Sequence, residues 1–100
     1  MQLGPVGVWW SGSWNVEGQE ALDVAAELEA LGFGAIWTTG AFDPGLRPRF
    51  ARLMASSAHI VVASGIVTVW RNSPDELAAA VADVERVHPG RFLLGLGASQ

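Results

Sequence analysis

The chain has 100 residues, of which 50% are hydrophobic and only 16% charged, with a formal net charge of −4. That bounds it to one small domain or part of a larger one, and an acidic, patch-free balance argues against a nucleic-acid partner. Cysteine is absent, His59 and His88 stand in no HxxxH or HExxH spacing, and no apolar run reaches the ~18 residues of a membrane span. A disulfide frame, a motif-type metal site and a membrane segment are therefore not expected, and the default reading is a soluble cytoplasmic protein.

Val6 to Trp10 reads as a first strand, after Gly4-Pro5 and before the loop Ser11-Gly12-Ser13. Trp9 and Trp10 at its end must point to opposite sides. A helix follows from about Gly18 to Leu31, with Ala21, Val24, Ala25, Leu28 and Leu31 on its apolar stripe and Glu20, Asp23 and Glu27 on its wet face. Gly32 stops it as a left-handed cap, on which Phe33 packs back.

Ala35 to Thr38 is the second strand, and Thr39 to Gly45 is the loop at its carboxyl end. The second helix starts at Leu46 or Pro48, with proline fitting the first turn, and reaches Ser57. Leu46, Phe50, Leu53 and Ser57 share one face.

Ile60 to Ala63 is a continuous apolar run rich in β-branched residues, the pattern of a parallel strand covered on both faces. Ser64-Gly65 interrupts it and Ile66 to Trp70 resumes it. A glycine inside a strand often marks a bulge or a close approach to a ligand. Ser73-Pro74-Asp75-Glu76 then opens a third helix, with Ser73 as N-cap, Pro74 at the first position and Glu76 completing a capping box. It runs to about Val87 with Leu77, Ala80, Val81, Val84 and Val87 inward, and His88-Pro89-Gly90 ends it. Phe92 to Leu96 is the fourth strand.

The order βαβαβαβ means right-handed crossovers and a parallel α/β sheet. Nothing inside the chain marks a domain boundary, so residues 1–100 read as one domain. The last strand has no helix after it, and parallel sheets need both faces covered. The expectation is the N-terminal half of a TIM-type (β/α)8 barrel whose open edges favour self-association. A complete small three-layer sheet is the alternative.

Four ordered blocks resemble the luciferase-like monooxygenase superfamily, and within it the F420-dependent oxidoreductases. They are Gly7-Val8-Trp9; Ala26 to Trp37, with Leu31-Gly32-Phe33-Gly34 at its centre; Ile60 to Ile66 followed by Trp70 and Pro74; and His88-Pro89-Gly90-Arg91-Phe92-Leu93-Leu94-Gly95-Leu96-Gly97. Together they span essentially the whole chain, about a third of a normal member. The resemblance implies a (β/α)8 barrel that binds coenzyme F420, or alternatively FMN, at the carboxyl ends of its strands. It then transfers a hydride or activates oxygen on a small organic substrate. It also implies a non-proline cis peptide in the third-strand bulge, which maps to Gly65-Ile66. The candidate cofactor-binding residues are accordingly Gly65, Ile66, Thr68, Thr38, Thr39 and Trp9, with Trp70 as further lining and Arg71 facing an acidic cofactor tail.

Near relatives often carry Asn where Thr68 stands, and some deazaflavin dehydrogenases place a catalytic His or Glu after strand two, near Thr39 and Gly40 here, so no catalytic acid or base is identified. The plain readings stand beside these: threonine is an ordinary strand residue, and tryptophan in an apolar strand is most often core. Arg91 reads as a loop charge, His59 belongs to the amino-terminal, stability end of the strands, and His88 reads as a helix-end cap. Gly95-Leu96-Gly97 mimics the start of a dinucleotide fingerprint, but the third glycine would fall at Gln100, so relief of crowding is the better reading. Two other classes remain: a non-catalytic α/β subunit completed by a partner, and a Rossmann-like nucleotide binder.

Overall fold

The computed structural model describes residues 3–10, 19–38, 47–70 and 72–98, with the backbone alone at 19–22 and 47–50. The elements in chain order are β1 Gly7–Trp9, α1 Gln19–Ala30, β2 Ala35–Thr38, α2 Arg47–Ala55, β3 Val61–Ser64, β4 Val67–Thr68, α3 Pro74–Val87, β5 Phe92–Leu93 and β6 Leu96–Gly97. Every strand pairing is parallel. β1, β2, β3 and β5 form one sheet in that order, and β4 pairs with β6 beyond it. The register aligns Gly7 with Ala35 and Val61, and Thr38 with Ser64.

This is the α/β order expected from the sequence, arranged as the first β/α units of a TIM-type barrel, with strand one at the edge beside strand two. An open sheet with strand one inside it, as the Rossmann-like alternative requires, is not what forms.

Strand alternation sorts the side chains into two layers. Val8, Trp10, Ile36, Ile60, Val62, Phe92 and Leu94 pack with Ala25, Leu53, Met54, Leu77 and Ala80 in the helix-side core. On the other face, Trp37 lies over Gly7 and Trp9 reaches Gly65. Trp9 and Trp10 thus part company as the strand period requires: Trp10 joins the core while Trp9 stays half exposed.

Local chemistry sets the helix ends. Gly32 has φ +98°, and its N–H bonds the Glu29 carbonyl while the Phe33 N–H bonds that of Leu28. This is the hydrogen-bond pattern of a Schellman turn, and Phe33 and Leu28 both pack against the core. Leu31 therefore leaves the apolar stripe and is exposed, contrary to the periodicity. Ser73 caps α3 by accepting the Glu76 N–H at 3.2 Å, with Pro74 in the first turn.

Val87 also departs from expectation and is exposed. Val87 is the last residue of the 14-residue α3, directly before its cap His88. Among the described residues no helix is long and apolar enough to cross a membrane.

Candidate functional site at the carboxyl ends of the strands

The expected bulge is present between β3 and β4. The ladder pairs Val62 with Phe92 and Ala63 with Leu93, then resumes with Val67 against Leu96 and Thr68 against Gly97. Ser64, Gly65 and Ile66 therefore face only Leu94 and Gly95. That one-residue surplus is a β-bulge, and it splits the predicted fourth strand into β5 and β6. The Gly65–Ile66 peptide is cis, at the position the family resemblance implies.

The two glycines of the last strand are shaped to this bulge. A Cβ on Gly95 would overlap the carbonyl oxygen of Ser64, and one on Gly97 would overlap the side chain of Ile66. Relief of crowding is thus what these glycines provide. The Ser64 hydroxyl accepts the Gly95 N–H at 2.8 Å and donates to the Gly95 carbonyl at 3.1 Å. The same carbonyl accepts the Val67 N–H at 2.8 Å.

The candidate residues fall as follows. Gly65 and Ile66 form the bulge, with Ile66 partly exposed over Gly97. Trp9, 54% exposed, sets its six-membered ring against Gly65: Cζ3 stands 2.9 Å from where a Cβ on Gly65 would be, and Trp37 Cε3 stands 3.8 Å away. Thr38 is fully buried at the end of β2, in register with Ser64, and its carbonyl accepts the Gly65 N–H at 2.9 Å. Thr68 is buried in β4 and its hydroxyl accepts the Trp70 N–H at 3.3 Å. Thr39 and Arg71 lie outside the described residues.

Trp70 is not a buried lining residue. It is 74% exposed, because β4 ends at Thr68 and Trp70 sits in the turn beyond, with its indole N–H donated to the Ala98 carbonyl at 2.5 Å. Trp9, Thr38, Ser64 to Thr68 and Gly95 to Ala98 include no titratable side chain. These residues can hold and orient a flat ring through apolar contact and backbone groups, but none of them transfers a proton at neutral pH.

At the opposite end of the strands, two residues do more than their sequence positions suggest. The Glu29 carboxylate accepts the N–H groups of Ala58, His59 and Ile60 at 2.8, 2.5 and 2.7 Å. Arg91 donates to the carbonyls of Ile60, Ala58 and Met54 and to the Ser57 hydroxyl at 2.7, 3.1, 3.0 and 2.7 Å. Together they grip the α2–β3 connection through both its donors and its acceptors, so Arg91 is not a free loop charge. Burial alone would raise the Glu29 pKa, but the three N–H bonds and the Arg91 charge outweigh it and hold the group below its ordinary value. Burial pulls Arg91 down from its ordinary value, and Glu29 opposes this. No local pattern points to either residue.

A separate apolar groove of about 410 Å³ runs between α3 and β6, lined by Val69, Asn72, Leu77, Val81, Leu94 and Leu96. Among the described residues no cluster of His, Asp or Glu has the makings of a metal site.

The chain matches the family model described as luciferase-like monooxygenase over residues 4–100. A sequence comparison with the curated proteins gives no significant match. Among solved structures, the coenzyme F420 dependent tetrahydromethanopterin reductase from Methanopyrus kandleri superposes with a TM-score of 0.80 at 15% identity, covering 100% of this chain and 28% of that one. The oxygenating constituent of 3,6-diketocamphane monooxygenase from the CAM plasmid of Pseudomonas putida, a type II Baeyer–Villiger monooxygenase in complex with FMN, gives 0.75 at 16% identity, covering 97% and 30%. A monooxygenase from Streptomyces bottropensis gives 0.69 at 24% identity, covering 82% and 27%. At these identities the structural likeness speaks for the fold. The chain spans less than a third of the length of each of these three proteins.

Proposed function

Since the chain belongs to the luciferase-like monooxygenase family, we propose that it supplies the cofactor-ring half of a flavin- or deazaflavin-dependent oxidoreductase acting on a small organic substrate. Coenzyme F420 is the first choice and FMN the alternative. When bound, the ring supplies hydride transfer or oxygen activation. The chain's own part is to seat it: Gly65 and Ile66 present a side-chain-poor backbone edge, Trp9 gives an apolar wall beside it, and Thr38 and Thr68 brace the strands on either side. Thr39 belongs to this proposal by its sequence position after β2 alone.

The observation that carries the reading is the convergence of Trp9, Gly65, Ile66 and Gly97 at the carboxyl ends of the parallel strands. In barrel folds that end carries the ligand and the chemistry. The fit is that of a seat whose floor lacks a side chain at Gly65, where a Cβ would stand against the Trp9 wall.

By this reading the 100-residue chain binds the ring weakly and does not turn over alone, because the other strand ends of such a pocket lie outside it. The test is a titration of the purified chain with F420 and with FMN, following tryptophan quenching and the visible spectrum of the ring. Saturable binding of either ring without its reduction is the expected result. No perturbation of either spectrum would sink the reading.

A second reading concerns association. β1 and the β5–β6 side carry no further strand among the described residues, and the groove beside α3 is almost wholly apolar. Open parallel edges seek partners. We propose that a second copy of the chain covers them.

A further inference from the structure

We propose that Ser64 is a positioning residue: its hydroxyl, bonded at once to the N–H and the C=O of Gly95, sets the height of the Gly65–Ile66 bulge on which a cofactor ring would rest. This rests on the proposed function. It goes beyond it by assigning the geometry of the seat to a residue that does not face the ring.

Below the bulge the residue offset between paired strands is 30, as in Val62 with Phe92; above it the offset is 29, as in Val67 with Leu96. One residue must lose its main-chain partner where the offset changes, and a buried, unmatched N–H or C=O is costly. Ser64 stands at that step. It is completely buried, and its Oγ lies 2.8 Å from the Gly95 nitrogen and 3.1 Å from the Gly95 oxygen.

The side chain thereby supplies the pairing that the ladder omits. Val67 N–H completes the bracket by donating to the same Gly95 carbonyl at 2.8 Å. Gly65 and Ile66 are strung between these two anchors. Gly95 has no side chain to hold it away, since a Cβ there would overlap the Ser64 carbonyl. A hydroxyl on a one-carbon stem reaches Gly95 from within the strand; alanine cannot bond it, and a longer polar side chain has no room in a fully buried position.

The test uses the full chain with Ser64→Ala, which removes the hydroxyl, and Ser64→Cys, which replaces it with a somewhat larger thiol that is only a weak donor and acceptor. Val84→Ala, on α3 and packed against the core, serves as a control of reduced stability remote from the bulge. Two readouts are taken: amide exchange at Gly95 and Val67, and ring affinity by tryptophan quenching. In both Ser64 variants, exchange at Gly95 and Val67 should accelerate and ring affinity fall about tenfold, the worth of a lost buried hydrogen bond. Val84→Ala should lower the melting point and speed exchange at Gly95 and Val67 no more than at the other sheet amides, while ring affinity is kept.

Ser64→Ala with unchanged exchange at Gly95, or with wild-type ring affinity, would overturn the proposal. A loss of affinity in Val84→Ala equal to that in Ser64→Ala would overturn it too, by reducing Ser64 to general stability. If the unsubstituted chain binds neither ring, the functional reading fails, and exchange at Gly95 alone decides whether Ser64 sets the bulge.

Discussion

Trp9 Cζ3 stands 2.9 Å from the position a Cβ on Gly65 would take. The two residues lie 56 apart in the chain, yet the missing side chain of one makes the room occupied by the ring of the other. Gly65→Ala should therefore push the Trp9 indole aside and narrow the seat. We expect Gly65→Ala to lose at least about tenfold in ring affinity, about 1.4 kcal/mol, and Trp9→Ala in the same chain to restore part of it. Fluorescence titration of the four remaining tryptophans, Trp10, Trp14, Trp37 and Trp70, in the double variant checks this; a Gly65→Ala chain that binds as tightly as the original would refute the contact.

Gly95 and Gly32 predict losses of different size for the same substitution. A Cβ on Gly95 meets backbone, the Ser64 carbonyl, so Gly95→Ala must shift a strand and should cost about 2–4 kcal/mol. Gly32 has open space around it, and Gly32→Ala should cost only about 1 kcal/mol for its φ of +98°. Thermal or urea denaturation of the two variants side by side gives the comparison.

The Glu29 clamp predicts a pH dependence. Its folded pKa is lowered, chiefly by the three backbone N–H bonds working against burial. The unfolded chain therefore binds the proton more readily, so the stabilisation is present at neutral pH and above the ordinary carboxylate range. It is lost as pH falls through the depressed folded value. Arg91 is the charged side chain acting on this carboxylate. Glu29→Gln should flatten the acid limb of the stability curve, measured by melting points from pH 7 downwards. An unchanged acid limb would remove Glu29 from the account.

Leu53 is 3% exposed in the helix-side core. Leu53→Ala should cost about 2–5 kcal/mol through lost burial and the cavity it leaves, read from the denaturant midpoint.

The bare edges predict a dimer or larger species of the 100-residue chain in sedimentation velocity. A chain that stays monomeric at about 100 µM, well above the micromolar range of specific association, would refute self-association.

The sequence by itself determined the element order, the parallel pairing and the place of the bulge. These follow from local information: the 3.6-residue stripe of α1 and α3, the β-branched run of Ile60 to Ala63, Ser73-Pro74 as a helix start, and Gly32 and Gly65 where chain geometry asks for glycine. The four motif blocks supplied the family because they fall in order on β1, on α1 through β2, on β3 with its bulge, and on β5 with β6.

Only the tertiary structure decided which side chains meet. Leu31 and Val87 keep the helical period but fall outside the packed layer: one is the residue just before the left-handed Gly32, the other the last residue of α3. Trp70 reads as core until β4 is seen to stop two residues before it. The Ser64–Gly95 and Glu29–Arg91 arrangements join residues about 30 or more positions apart. Their hydrogen bonds depend on strand register and on a one-residue change of offset, which no local pattern of hydrophobicity or propensity encodes.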